Sequence, residues 1–555
     1  MESQSIAFNT ELLRRYDRPG PRYTSYPTAP QFHSGFGEKQ LREVAASSNG
    51  DPIPRRLSLY VHVPFCESPC FYCGCNRIIT RDKARGDAYL ARLYREIALT
   101  ADLFDRDREA IQLHFGGGTP NFLSPAQLGE VVETLRSHFR FSDARDRDVS
   151  IELDPRFVDA DDIAALARIG FNRASFGVQD FDPAVQQAVN RIQSVEQTRA
   201  VVEACRANGF RSVNVDLIYG LPSQNGDGFA RTLDIVADMR PDRVAVYGYA
   251  HMPHLFKPQK QLDDTLLPSG ETKLALLQLA IEKLTAAGYL YIGMDHFALP
   301  DDELALAQAR GGLHRNFMGY TTHADSDLVG LGVSAISHIG DSFSQNPRDL
   351  PSWQAALDEG RLPVFRGMRL DADDVLRADL IQQLMCQGEI PVAALERRHG
   401  IDFADYFATS LERLAPLVED GLARIEPGRI VVTSRGRLLL RNIAMCFDRY
   451  LDQSAGRAAQ WHGDRHRFLV HRRKRHRSCA RNGGDRDRSG DHGAVWRTRQ
   501  RAGVRRGVEE HRSLCGSHDQ CEQSECERSA HRSELANRRQ SRRASGHAID
   551  SGYSG

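Results

Sequence analysis

Seven short stretches are dense in β-branched, aromatic and aliphatic side chains and are bounded by glycine, proline or aspartate. They are RLSLYVHVPF from Arg56, AIQLHFGGGTP from Ala110, DVSIELDP from Asp148, RASFGVQ from Arg173, RSVNVDLIYGLP from Arg211, RVAVYGYAH from Arg243 and LYIGMDHFA from Leu290. Their length and composition predict buried strands. Between them, AYLARLYREIALTADLF from Ala88 and SVEQTRAVVEACRANGF from Ser194 repeat apolar residues at intervals of three and four, which predicts amphipathic helices. Such alternation predicts an α/β fold: parallel β/α units closing partly or completely into a barrel, with function at the C-terminal strand ends. From Asp371 the pattern turns helical (ADDVLRADLIQQLMCQ, VAALERRHG, FATSLERLAPLVEDGL) and closes on a strand pair, ARIEPGRIVVT, turning at Pro427–Gly428. That predicts a smaller α-rich domain. The expected division is an N-terminal arm over 1–56, a barrel over 57–350, the α-rich domain over 351–455 and a tail over 456–555.

A chain of 555 residues is too long for one hydrophobic core. It contains no apolar run near the ~20 residues of a membrane span, and MESQSIAFNTELLRRYDRPG lacks a basic segment followed by an apolar one, so no membrane partner and a cytoplasmic location are expected. The formal net charge of zero conceals a break: from Trp461 onward there are 22 basic against 12 acidic side chains, with Lys474 the one lysine. That tail has no hydrophobic periodicity and is rich in Arg, Ser, Gly and His, which predicts disorder. It lacks the interleaved aromatics of a nucleic-acid stacking platform, so no nucleic-acid partner is expected.

Eleven cysteines, an odd number concentrated in one place, suit metal ligation in a reducing compartment better than a disulfide framework. HVPFCESPCFYCGCN, His62 to Asn76, holds Cys66, Cys70, Cys73 and Cys75 just past the first predicted strand. Thiolates at Cys66, Cys70 and Cys73, spaced C-x3-C-x2-C, can wrap one loop round a 4Fe-4S cluster and leave one iron open. Zinc is the alternative, but zinc sites usually draw ligand pairs from two segments. GGGTP, Gly116 to Pro120, follows the second strand, where glycines let a ligand approach the backbone.

The cysteine spacing resembles the radical S-adenosylmethionine superfamily. YVHVPFC, the CxYCGCN run, GGGTPNFL and the N-terminal RPGPRYTSYPTAPQF together resemble the oxygen-independent coproporphyrinogen III oxidase family, also called coproporphyrinogen dehydrogenases. The resemblance extends from about Glu11 to Leu451 through IELDP, FGVQDFD, VYGYAHMPHLFKPQ, LHRNFMGYTTH and MCFDRYL. Cys75 and the PRYTSYPTA arm separate it from haem chaperones of the same superfamily, which usually have Phe at the place of Cys75.

The resemblance implies cluster ligation by Cys66, Cys70 and Cys73, with Tyr60, Gly117, Glu152 and Ile336 lining the S-adenosylmethionine on the open iron. A second S-adenosylmethionine is implied beside Tyr72, Gly118, Thr119, Gln179, Arg191, Asp216 and Ala250. Tyr60, Cys75 and Glu152 carry the expected catalytic roles, Cys75 not as a ligand. Singly, Glu152 and Asp216 also read as strand-end caps, Gln179 as a buried hydrogen-bonding residue and Arg191 as a solvated charge; at successive strand ends they read together as a site. The implied chemistry is reductive cleavage of S-adenosylmethionine to a 5′-deoxyadenosyl radical. Hydrogen abstraction from a propionate β-carbon follows, with loss of carbon dioxide and one electron to leave a vinyl group. Two such events convert coproporphyrinogen III to protoporphyrinogen IX in haem biosynthesis. The expected partners are that substrate, an unidentified reductant and an electron acceptor, acting on a monomer. Arg14, Arg15, Arg18 and Arg22 are candidates to fork onto substrate carboxylates or to be a solvated basic helix end.

Two rival readings are a haem chaperone, tested by haem titration, and an electron-transfer iron–sulfur protein, tested by 5′-deoxyadenosine production. Relatives in this family end soon after the stretch matching NIAMCFDRYL, so the patternless tail also reads as the product of a frameshift near Ala455, which the coding DNA decides.

Overall fold

The computed structural model describes residues 6–451; the predicted tail disorder and the proposed frameshift lie outside those residues. Seven parallel strands form the scaffold: β1 (Arg56–Val63), β2 (Glu109–Gly117), β3 (Asp148–Leu153), β4 (Arg173–Gln179), β5 (Ser212–Tyr219), β6 (Arg243–Gly248) and β7 (Ser326–Leu331). They lie side by side in the order β6-β5-β4-β3-β2-β1-β7. Antiparallel strands extend both edges, Leu290–Gly293 with His296–Ala298 beyond β6, and Ile336–His338, Ser342–Gln345 and Arg366–Arg369 beyond β7. The barrel is therefore partial.

Each parallel strand has two unlike faces. Leu57, Leu59, Val61 and Val63 of β1, Leu113 and Phe115 of β2, Val149, Ile151 and Leu153 of β3 and Val213 and Val215 of β5 are buried in apolar clusters. The alternate positions face inward: His114, Ser150, Ser175, Asn214 and Tyr247, from five successive strands, line one cavity. A flat sheet cannot bring five strands to a single cavity, so the sheet is curved round a polar lumen. The strands read as wholly buried runs are thus apolar only on the helix side, where burial contributes about 25 cal/mol per Å².

The helices form where their caps and apolar stripes dictate. Ser124 and Ser194 each accept a hydrogen bond from a backbone N–H three residues on, and Gln127 and Gln197 return the bond, starting Pro125–His138 and Val195–Ala207. Among the described residues no helix is long and apolar enough to cross a membrane.

Two elements differ from the expectation. LYIGMDHFA is not one strand of the parallel set: Gly293 and Met294 have positive φ, and the chain turns into an antiparallel pair. The seventh parallel strand is instead Ser326–Leu331, which pairs with β1 although its run SDLVGL is short and starts on polar residues.

The helices Ala372–Gln387, Val392–His399 and Ala408–Glu419 and the pair Ala423–Glu426 and Arg429–Val432 build a second core. Leu12, Leu13, Tyr23 and Tyr26 from the far end of the chain are buried in it, whereas Phe36, Leu41 and Val44 pack on the barrel.

Candidate active site

The cysteine loop leaves β1 at its C-terminal end. Cys66 lies on a two-residue strand, Phe65–Cys66, paired with Ile78–Ile79, which fixes both ends of the loop. Cys66 and Cys70 are buried, Cys73 is half-buried and Cys75 exposed, and none is in a disulfide. Thr119 Oγ1 lies 3.3 Å from Cys66 Sγ, and Cys75 N–H donates to Cys73 Sγ at 3.4 Å. Burial pushes the Cys66 thiol up to about 11. The Cys73 thiol is shifted the other way, first by the hydrogen bond from the Cys75 side chain and then, against burial, by the nearby Arg77. Arg77 also ties the loop by donating to the carbonyls of Cys70 and Cys73.

Among the described residues no three His, Cys, Asp or Glu side chains are gathered closely enough to hold a single metal ion. A multi-iron cluster binds its thiolates through different irons and needs them further apart, so three unpaired thiols round one cavity fit a cluster.

Glycines form the floor beside the thiols. Gly118 N–H donates to the Val63 carbonyl at 2.8 Å, and a Cβ there would stand 2.8 Å from the Phe65 carbonyl oxygen. Gly117 has φ +114°, a conformation open mainly to glycine. Its N–H donates to Glu152, which also sits 3.2 Å from His114 Nε2. Burial alone would raise the Glu152 carboxyl, but His114, the Gly117 N–H and His62 together hold it below the usual range. Tyr60 stacks on His114 at 5.8 Å. Burial keeps His62 neutral, and its Nε2 lies 3.0 Å from the Asn76 carbonyl; that bond makes Nδ1 the acceptor of the Tyr60 hydroxyl at 3.0 Å.

Opposite this floor, Arg191 donates to Cys70 Sγ at 3.3 Å and to Asp154 at 3.0 Å, and Arg156 reaches the same carboxylate at 2.7 Å. Asp154 is thereby held low despite its burial. Gln179 ends β4 with φ +71°, a strained backbone for a residue with a side chain. Asp216, on β5, accepts from Asn214 and Ser175; burial raises it to about 6, more than those hydrogen bonds lower it.

One cavity brings together Cys66, Cys70, Tyr72, Cys73, Cys75, Gly117, Gly118, Thr119, Glu152, Gln179, Arg191 and Asp216. An adjoining cavity is lined by Tyr60 and Ile336 and shares Cys75, Gly117 and Glu152 with the first. Ala250 lines neither, but Gln259 Nε2 donates to its carbonyl and to that of Tyr72, tying the two segments together. Sequence reasoning missed His62, Arg77, His114, Asp154 and Arg156; for His114 the signal was its register, two residues before Gly116 on the inward face of β2.

The arm arginines do not stand as a group ready for substrate. Arg14 pairs with Glu271 and Arg15 with Asp420 at the surface, the Arg18 carbonyl accepts from Arg441, and Arg22 pairs with Asp295.

The Radical SAM superfamily model matches residues 60–236, and the HemN C-terminal domain model matches residues 370–439. The chain is 53% identical over 447 residues to an oxygen-independent coproporphyrinogen III oxidase of Pseudomonas aeruginosa, covering 80% of this chain and 97% of that one. It is 48% identical to the enzyme of that name from Escherichia coli over 455 residues, 82% of this chain and 98% of the relative. The solved structure of coproporphyrinogen III oxidase from Escherichia coli, described as a radical SAM enzyme, superposes with a TM-score of 0.76 at 47% identity, covering 80% of this chain and all of that one. A glycine-floored cysteine loop on a partial β/α barrel, matched at this identity along nearly the whole length of those relatives, places the chain in the oxygen-independent coproporphyrinogen III oxidase family of the radical SAM superfamily.

Proposed function

We propose that this chain converts two propionate side chains of coproporphyrinogen III to vinyl groups without oxygen, giving protoporphyrinogen IX. The observation that carries the reading is the convergence of the C-x3-C-x2-C loop, the Gly117–Gly118 strand end and Glu152 on one cavity, in a chain at 53% identity to an enzyme of that name. A 4Fe-4S cluster and S-adenosylmethionine are the cofactors of the family, and when bound they supply a carbon radical able to abstract hydrogen. Each propionate then loses that hydrogen, carbon dioxide and one electron to an acceptor, which balances the conversion of CH2–CH2–COO⁻ to CH=CH2.

In this reading Cys66, Cys70 and Cys73 hold the cluster. Cys75 does not, because one intervening residue separates it from Cys73. Tyr60, Gly117, Glu152 and Ile336 position one S-adenosylmethionine; Tyr72, Gly118, Thr119, Gln179, Arg191, Asp216 and Ala250 position a second. The glycines leave the backbone open to a methionine amino and carboxylate group. Glu152, held ionised by His114 and the Gly117 N–H, offers an acceptor to ammonium or ribose hydroxyl groups. Arg191, fixed by Asp154, offers a guanidinium to a carboxylate. The polar lumen is set by β2 to β6 and excludes stray hydrogen donors only as far as substrate fills it. The reading includes a monomer in the cytoplasm served by a separate reductant and acceptor.

The test is anaerobic reconstitution with iron, sulfide and S-adenosylmethionine, a strong reductant and coproporphyrinogen III, followed by product analysis. Appearance of the monovinyl and divinyl products with 5′-deoxyadenosine is expected. Production of 5′-deoxyadenosine with the tetrapyrrole unchanged would reject the substrate.

A further inference from the structure

The hairpin His314–Asn316 and Gly319–Thr321 stands where three cavities meet. Its tip, Phe317 and Met318, lines the cavity of Tyr60 and Ile336; Met318 to Thr321 line the barrel lumen; and residues 314–317 line a third cavity of about 250 Å³ beside Thr24, Ser25 and Tyr26 of the arm. Arg315 lies across from Tyr320 in the hairpin register, and its guanidinium is stacked 4.7 Å from the centre of that ring. The residue is 5% exposed, and its Nε and Nη1 are enclosed with no hydrogen-bond partner. Among the described ion pairs of this chain, buried guanidinium groups such as Arg108, Arg173 and Arg243 all have carboxylates, and Arg315 has none.

The cavity that Arg315 lines also holds Arg55, His314, Asp341 and Asp379, the last paired with Arg398. His296, edge-on to Tyr320 at 5.3 Å, has an enclosed and unpartnered Nδ1, and burial together with Arg315 and Arg22 depresses its protonation. Arg22 lies over the Tyr247 ring and is satisfied by Asp295. A desolvated guanidinium without an anion is costly, and its stacking on Tyr320 offsets only part of that cost.

We propose that Arg315 is the receptor for a carboxylate of the substrate, one of the propionates that is held while another is decarboxylated. The inference rests on the function proposed above. A planar guanidinium already braced on Tyr320 takes a carboxylate through charge-assisted N–H donors. Arg315 lines the third cavity, which shares Phe317 with the cavity of Tyr60 and Ile336; an anchor there fixes which propionate lies at the radical site, because the distance between two propionates on one macrocycle is set by the ring.

The experiment uses the full chain, with and without reconstituted cluster. Fluorescence titration measures binding of coproporphyrin III and, separately, of its tetramethyl ester to wild type, Arg315→Met and Arg315→Lys; conversion of coproporphyrinogen III is followed in parallel. We expect Arg315→Met to bind the tetra-acid about tenfold or more weakly, to bind the ester as wild type does, to raise KM more than it lowers kcat, and to keep or raise its thermal midpoint; Arg315→Lys should recover part of the affinity. Tetra-acid binding within twofold of wild type in Arg315→Met, or equal losses for acid and ester, overturns the inference while leaving the function intact. Wild-type protein that neither binds nor converts the tetra-acid overturns the function and this inference with it.

Discussion

Glu96 lies wholly inside the protein, on the helix Ala84–Ala101, and faces the loop after β7. It accepts from Gly332 N–H at 2.8 Å, Trp353 Nε1 at 3.1 Å and Asn346 Nδ2 at 2.6 Å. Burial outweighs those three bonds and pushes its carboxyl up to about 7. A carboxyl raised on folding contributes stability that is fully present below its unfolded pKa near 4.3 and is lost as pH rises through about 7. Denaturant unfolding should therefore show stability falling by a few kcal/mol at most, up to roughly 3, between pH 5 and 8, with a flatter profile in Glu96→Gln. Identical slopes in the two proteins would remove Glu96 as the cause. The thiols give a second prediction at this scale. Cys70→Ala should lose the cluster's visible absorbance and most of its iron, whereas Cys75→Ser should keep both and fail in turnover. Full iron content in Cys70→Ala would show the ligand assignment to be wrong, and equal cluster loss in Cys75→Ser would make that residue a ligand. The spacing of these thiols was legible in the sequence because ligand identity is chemical. The guanidinium groups of Arg156 and Arg191 at Cys70 were not legible as a pair, since Asp154, which gathers them, is far from Arg191 along the chain.

Strand ends and loops set the approach of cofactor to backbone. The end of β2 and the start of the cysteine loop touch at Gly118, where a methyl group would meet the backbone of Pro64 and Phe65 at 2.8 Å. Backbone cannot rotate away as a side-chain tip can, so Gly118→Ala should displace the loop. We expect S-adenosylmethionine to bind the cluster-loaded variant at least about tenfold more weakly, a loss of roughly 1.4 kcal/mol or more, measured by equilibrium dialysis. Gly209, at φ +76° in a turn with open space round its Cα, is the control; Gly209→Ala should cost about 1 kcal/mol of stability and leave binding unchanged. Equal affinities in the two variants would dismiss the close-approach argument. Most elements were readable from period: the helices from apolar residues at three and four, six parallel strands from dense β-formers. Ser326–Leu331 was not, because its strand character comes from pairing with β1 rather than from its own residues.

Across the whole molecule the two ends of the described chain meet. Leu12, Leu13, Tyr23 and Tyr26 enter the core built by Leu376, Leu380, Leu384 and their neighbours, and the Tyr23 hydroxyl donates to buried Asp448 at 3.0 Å. Leu380→Ala should cost about 2–5 kcal/mol and Tyr23→Phe about 1–2 kcal/mol, since the latter removes one of the donors to the buried Asp448 carboxylate, leaving that of the Tyr450 N–H. Both should expose the segment before Pro27 to protease, and a segment that stays protected in both would show that this core does not hold it. The sequence by itself determined the class of the fold and the metal-ligating loop, because periodicity and ligand chemistry are local properties of neighbouring residues. It also carried the alternation of apolar and polar positions in each strand, though a single strand does not say whether its polar face meets water, a lumen or a partner. Only the tertiary structure decided that these faces line one cavity, that His114 and Gly117 hold Glu152, and that Arg14 and Arg15 are spent on the protein's own carboxylates while Arg315 is left without one. Those outcomes depend on curvature and on contacts between residues hundreds of positions apart, and no local pattern records which distant charge a side chain will meet.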